Sequence, residues 1–244
     1  MGIVGGVLSG MLGIGGAVIL LPLLTAFAGL SLKEASNITV VQVVVSSLIG
    51  WWAFRRGGLV HTRLAVWMGG AGAVGGFVGG FVSGRLSELQ LEIIFFSVVL
   101  AAIVLLFLPV RELAVSGEAK PDFNVPFAVG LGGLVGALAG MLGAGGGFLI
   151  VPLMLTGLRI PMRLAIGSSS VVKLISSSFA YAGKLAGTHI DPILALTLLA
   201  GAIPCTYAGT WIARRVPPRF LRGILVVMLI GIAIRSVQTL FFTP

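Results

Sequence analysis

Eight apolar stretches separated by short, mostly basic loops dominate this chain, running roughly over residues 2–28, 34–54, 64–84, 89–109, 125–158, 164–183, 191–213 and 220–242. A helix needs about 20 apolar residues to cross the hydrocarbon layer of a bilayer, and most of these stretches meet that length. The alternative, one soluble core, fails on charge. Only 9% of the 244 residues are charged and 57% are hydrophobic, whereas a soluble domain carries about 25% charged residues to cover its surface. The chain therefore reads as an all-α integral membrane protein, with the lipid bilayer as its first partner.

The stretches repeat. Residues Gly6 to Gly16 (GVLSGMLGIGG) with Pro22 and Leu23 return as Gly136 to Gly146 (GALAGMLGAGG) with Pro152 and Leu153, an offset of 152 − 22 = 130 residues. The register holds without a gap through Ala35 and Ala165, Ser46 and Ser176, Gly57 and Gly187, Arg85 and Arg215, and Leu91 and Leu221. Residues 1–110 form one repeat and 125–244 the other, each with about four hydrophobic segments. The polar stretch 111–124 (RELAVSGEAKPDFN) links them.

Loop charge bears on orientation. If all eight segments cross, seven Lys and Arg (Arg55, Arg56, Arg63, Arg111, Lys120, Lys184, Arg235) lie on one side and the other eight outside Lys173 lie opposite. That split lacks the excess of cytoplasmic Lys and Arg that membrane proteins show. If the first segment of each repeat enters and leaves on one face, Lys33, Arg85, Lys184 and Arg235 face eleven others and the excess appears. Three crossings per repeat then invert one repeat relative to the other, a recurrent plan in secondary transporters.

A physical reason for such re-entry lies in the glycines. Gly13, Gly15 and Gly16 fall midway through the first segment, and Gly143, Gly145, Gly146 and Gly147 midway through its counterpart. Clustered glycines weaken a helix and allow positive φ. A broken helix in hydrocarbon survives only inside protein or beside a polar cavity. A helix restarting at mid-membrane aims free N–H groups and a positive dipole end at the centre, which suits an anion. Helix packing is the competing explanation, and it suits the ladders Gly2, Gly6, Gly10 and Gly72, Gly76, Gly80.

Polar residues follow each break. The first repeat has Asn37, Thr39, Gln42, Ser46 and Ser47; the second has Ser168, Ser169, Ser170, Lys173, Ser176, Ser177 and Ser178. Uncharged hydroxyls and amides can coordinate an oxyanion, although membrane serines also bond their own backbone. Lys173 stands out. It lies between Val172 and Leu174 deep in an apolar segment, where a lysine is costly and functional by default. Glu34, Glu88, Glu92 and Asp191 fall near segment ends, so an anionic substrate is the natural partner of Lys173. A lysine that snorkels or bonds carbonyls is the alternative. The expected substrate-binding set is Gly15, Gly16, Asn37, Thr39, Gln42, Gly145, Gly146, Gly147, Ser168, Ser169 and Lys173.

Other functions find little support. The net charge of +9 arises between apolar segments and reflects topology rather than nucleic-acid binding. The single Cys205 makes no internal disulfide, and His61 and His189 are too far apart to argue for a metal, so no cofactor or metal is expected. No arrangement of nucleophile, base and acid suggests an enzyme. No cleavable signal peptide is expected, since Met1 leads straight into apolar sequence.

The two stretches Gly10 to Gly16 (GMLGIGG) and Gly140 to Gly147 (GMLGAGGG), with Pro22, Leu23, Pro152 and Leu153, resemble the TauE/SafE, or sulfite exporter, family of transmembrane anion transporters. The segments after Ala35 and Ala165 fit the same pattern. The resemblance implies a multi-pass carrier in the plasma (inner) membrane for sulfite, sulfoacetate or another small organosulfonate. An anion channel and a non-transporting membrane scaffold are the alternatives, and self-association into a homo-oligomer is left open.

Overall fold

The computed structural model describes residues 2–13, 15–108, 123–185 and 192–242. These residues form helices α1 (Gly2–Leu12), α2 (Ala17–Phe27), α3 (Leu32–Arg56), α4 (Thr62–Ser83), α5 (Glu88–Phe107), α6 (Val125–Leu142), α7 (Gly147–Thr156), α8 (Met162–Leu185), α9 (Pro192–Arg215) and α10 (Pro218–Phe242). His189, Asp191 and residues 111–122 of the polar linker lie outside the described residues. Five helices, α3, α4, α5, α6 and most of α9, are long and apolar enough to cross a membrane.

Eight apolar segments become ten helices because the first segment of each repeat breaks at its glycines. Gly13, Gly15 and Gly16 have φ of 64°, 88° and 68°, and Gly143, Gly145 and Gly146 have 62°, 68° and 60°. L side chains avoid this left-handed region, so a run of three such residues needs glycine. The break also reverses the chain. In a straight helix Gly5 and Gly16 would stand roughly 16 Å apart. Instead a β-carbon on Gly16 would collide with the Gly5 carbonyl, and Leu20 packs on Gly5. The second repeat does the same, with Gly146 against Val135 and Ala139.

The halves interdigitate. α1 packs on α9 and α6 on α4, so each repeat's first helix lies against the fourth helix of the other. Glycine makes this close approach feasible: β-carbons on Gly2, Gly6 and Gly10 would strike the backbone of α9, and on Gly132, Gly136 and Gly140 that of α4. Small residues let helix backbones meet where lipid supplies no hydrophobic drive for association. The glycine ladders are thus packing surfaces.

Helix ends obey the same 130-residue offset. Lys33 donates to the Leu86 carbonyl at 3.5 Å, and Arg163 donates to that of Val216 at 3.4 Å. Arg85 stacks over Phe81 at 4.6 Å, and Arg215 over Trp211 at 3.5 Å. Two contacts locate the ends of the long helices. Arg214 lies against Gly57, so α3 and α9 finish side by side. Lys184 Nζ donates to Ser83 Oγ at 3.1 Å, so α8 and α4 finish together. The scheme with eight full crossings separates Arg55 and Arg56 from Arg214; the fold brings these ends together.

Candidate functional site

Two helices, α3 and α8, form the centre and pack on one another. Each carries three residues at spacings of four, which lie on one helix face. On α3 they are Thr39, Val43 and Ser47; on α8 they are Ser169, Lys173 and Ser177, the same positions 130 residues on. The first of each trio closes the glycine break of the opposite half. Thr39 Oγ1 lies 3.3 Å from the Gly143 carbonyl and 3.3 Å from that of Ser36 in its own helix, and Ser169 Oγ lies 3.1 Å from the Gly13 carbonyl and 2.8 Å from that of Ile166, so each hydroxyl shares its one proton between the break and its own helix. A broken helix in lipid must satisfy its freed carbonyls within the protein, and here the partner repeat does so.

The restarting helices begin beside Val43. Gly16 and Gly146 are the left-handed N-caps of α2 and α7, and neither start has a side-chain cap. Gly15 and Gly145 both lie against the Val43 side chain, which brings the two positive helix ends to one place. Around them sit polar atoms without a partner among the described residues: Gln42 Oε1 and Nε2, Ser47 Oγ and Ser177 Oγ. A β-carbon on Gly16 would stand 3.1 Å from Gln42 Nε2, and one on Gly145 3.3 Å from Ser177 Oγ. Unpaired buried polar groups cost roughly 1–3 kcal/mol each, so this set is unfavourable unless something else binds it.

Lys173 takes the place that Val43 holds in the first repeat. It is 1% exposed, one helical turn from Ser169 and one from Ser177. Among the described residues its ammonium has no hydrogen-bond or ion-pair partner. The described carboxylates, Glu34, Glu88 and Glu92, stand in the first two turns of α3 and α5. The centre therefore combines two helix N-termini, uncharged amide and hydroxyl groups and one cation. That chemistry suits an anion with several acceptor oxygens.

Residues 1–236 match the family described as sulfite exporter TauE/SafE. The chain belongs to the TauE/SafE family. It is also 24% identical over 224 residues to the probable membrane transporter protein YdhB of Bacillus subtilis, covering 89% of this chain and 90% of that protein. A probable membrane transporter protein of Xylella fastidiosa (strain 9a5c) is 30% identical over 211 residues, covering 84% of this chain and 80% of that one. No solved structure matches. This TauE/SafE chain is a multi-pass membrane protein of a transporter family.

The TauE/SafE fold gathers most of the expected residues. Gly15, Gly16, Gly145, Gly146 and Gly147 form the breaks and the start of α7; Thr39, Gln42 and Ser169 stand against them, and Lys173 lies on the α8 face between. Two residues go elsewhere. Asn37 Oδ1 accepts from Lys184 Nζ at 3.1 Å, and Ser168 Oγ accepts from the His61 backbone N–H at 2.8 Å. Lys184 also donates to Ser36 Oγ at 2.9 Å and is 1% exposed. The loop count treated Lys184 as a surface charge. It is buried because α8 runs two residues past its apolar stretch and ends against α3 and α4. Ser47 and Ser177 were absent from the expected set, yet their 130-residue match, one turn past Val43 and Lys173, was a usable signal.

Proposed function

We propose that the protein is a secondary transporter that carries a small sulfur-containing anion, such as sulfite or an organosulfonate, by alternating access. The observation that carries this reading is Lys173: a buried ammonium with no described carboxylate beside it, between two glycine breaks that aim helix N-termini inward. The anion's oxygens would accept from Lys173, Gln42, Ser47, Ser177 and the first amides of α2 and α7. Family membership supports a sulfur oxyanion.

Burial favours a carrier over a channel. Gln42, Ser47, Ser177 and Lys173 are each at most 1% exposed, which describes an occluded centre rather than an open pore. An inverted relation between the repeats is supported by their helix ends. α3 finishes beside Arg214, whereas its counterpart α8 finishes beside Ser83, at the far end of α4. Rocking of inverted halves about a central site is a general route to alternating access.

The test is reconstitution of purified protein in liposomes, with uptake of sulfite, sulfoacetate, taurine, sulfate and acetate compared. Saturable uptake of a sulfur anion by the wild type, lost in Lys173→Met at unchanged folded yield, is the expected result. Wild-type uptake by Lys173→Met would remove the central cation from the mechanism. Non-saturating conductance would favour a channel instead.

A further inference from the structure

The two repeats differ at one seam. Where α4 meets α8 the backbones touch: β-carbons on Gly76, Gly80 and Gly183 would collide with the carbonyls of Ser176, Ala180 and Phe77. The equivalent seam joins α9 and α3. There the counterparts of Gly72, Gly76, Gly80 and Gly183, 130 residues away, are Ala202, Thr206, Thr210 and Ala53. Side chains replace hydrogen atoms, so α9 cannot approach α3 as closely. The result is an apolar groove of about 660 Å³ lined by Leu48, Trp51, Trp52, Ile203, Pro204 and Tyr207. Its size falls within the roughly 300–1,000 Å³ typical of ligand clefts.

The end of this groove is basic. One turn beyond Trp52 stand Arg55 and Arg56, and two turns beyond Tyr207 stand Arg214 and Arg215, all four exposed. Arg214 against Gly57 draws the two pairs together. Arg56 stacks over Trp52 at 3.8 Å and Arg215 over Trp211 at 3.5 Å, which holds both guanidiniums beside indoles. Glu34 lies at the start of α3, roughly 30 Å away along the helix. Glu88 follows the end of α4, on the face opposite the arginines. No described carboxylate neutralises the cluster.

We propose that an anionic diacyl phospholipid occupies the α3–α9 groove, with an acyl chain against Leu48, Trp52, Ile203 and Tyr207 and its phosphate among Arg56, Arg214 and Arg215. Groove and charge together specify the ligand: the apolar walls accept a chain from the surrounding bilayer, and the arginines select a headgroup of net negative charge. This site shares no residue with the central anion site, so its test is independent of the transport reading.

Native mass spectrometry of the purified full-length protein tests it, with phosphatidylglycerol and phosphatidylcholine of identical chains in competition. The expected result is a preference of roughly tenfold for phosphatidylglycerol. The exposed triple variant R56Q/R214Q/R215Q should retain both lipids equally, with unaltered phosphatidylcholine binding as its folding control. Ile203→Trp, which fills the groove, should reduce retention of both lipids. Soluble glycerol 3-phosphate should not compete. Equal retention of the two lipids by the wild type, an undiminished preference in the triple variant, full competition by glycerol 3-phosphate, or a dimer cross-linked through Tyr207→Cys would each overturn the proposal.

Discussion

Ser169 Oγ shares its proton between the Ile166 carbonyl of its own helix at 2.8 Å and the Gly13 carbonyl at 3.1 Å, tying the third helical element of one repeat to the broken first element of the other. Thr39 and Gly143 repeat the arrangement at 3.3 Å. Each repeat thereby completes the backbone of its partner, and neither glycine break is self-sufficient.

Breaking these ties should cost stability in a graded way. Thr39→Val and Ser169→Ala each leave a buried carbonyl without its donor and should lower unfolding stability by about 1 kcal/mol. The two sites serve different breaks, so the double variant should show nearly the sum. Denaturation of the purified proteins in one detergent measures this. An effect near zero for both would mean that the carbonyls find other partners.

Substitution of the break glycines should be far more damaging. Gly16→Ala forces an L residue to φ 68° and drives its β-carbon into Gly5, and Gly143→Ala meets the Ser36 carbonyl at φ 62°. Strain and collision together are expected to cost about 2–5 kcal/mol. Gly70→Ala and Gly130→Ala, where a β-carbon meets nothing within 4 Å, are the controls. Folded yield by size-exclusion chromatography should fall sharply for the first pair and stay level for the second.

The two buried lysines should separate cleanly. Lys184 holds Ser36, Asn37 and Ser83 by hydrogen bonds of 2.9, 3.1 and 3.1 Å. Lys184→Met strands those groups and should destabilise the protein by roughly 2–4 kcal/mol. Lys173→Met strands no described partner, so its melting temperature should hold or rise while anion uptake disappears. Equal thermal losses for both variants would refute this division of roles.

Gln42 offers a further separation of stability from transport. Both atoms of its side-chain amide lack a described partner. Gln42→Leu removes two unsatisfied groups at little change in volume, and stability should hold or rise. Uptake should fall about tenfold or more, the equivalent of one hydrogen bond to a charged ligand. A marked drop in melting temperature would identify Gln42 as structural.

Much of the fold was legible because membrane insertion depends on local properties. Apolar length gave the helices from 34–54 to 220–242 within a few residues, and the glycine clusters marked both breaks. The destinations of Asn37 and Ser168 were not legible. Depth in an apolar segment placed both in the expected set with Ser169, but depth says nothing about which neighbour a side chain meets. Asn37 turned to Lys184 and Ser168 to the backbone of His61. Gln42, expected in the site for the same depth, does stand against Gly16.

The sequence by itself determined the lipid solvent, the duplication and the two points of helix failure, because hydropathy and glycine content act within a few turns of chain. Only the tertiary structure decided that the breaks meet at Val43, that each is closed by the opposite repeat, and that Lys184 is buried against α3 and α4. Those outcomes depend on contacts more than a hundred residues apart, where the packing of small residues between helices sets which groups touch.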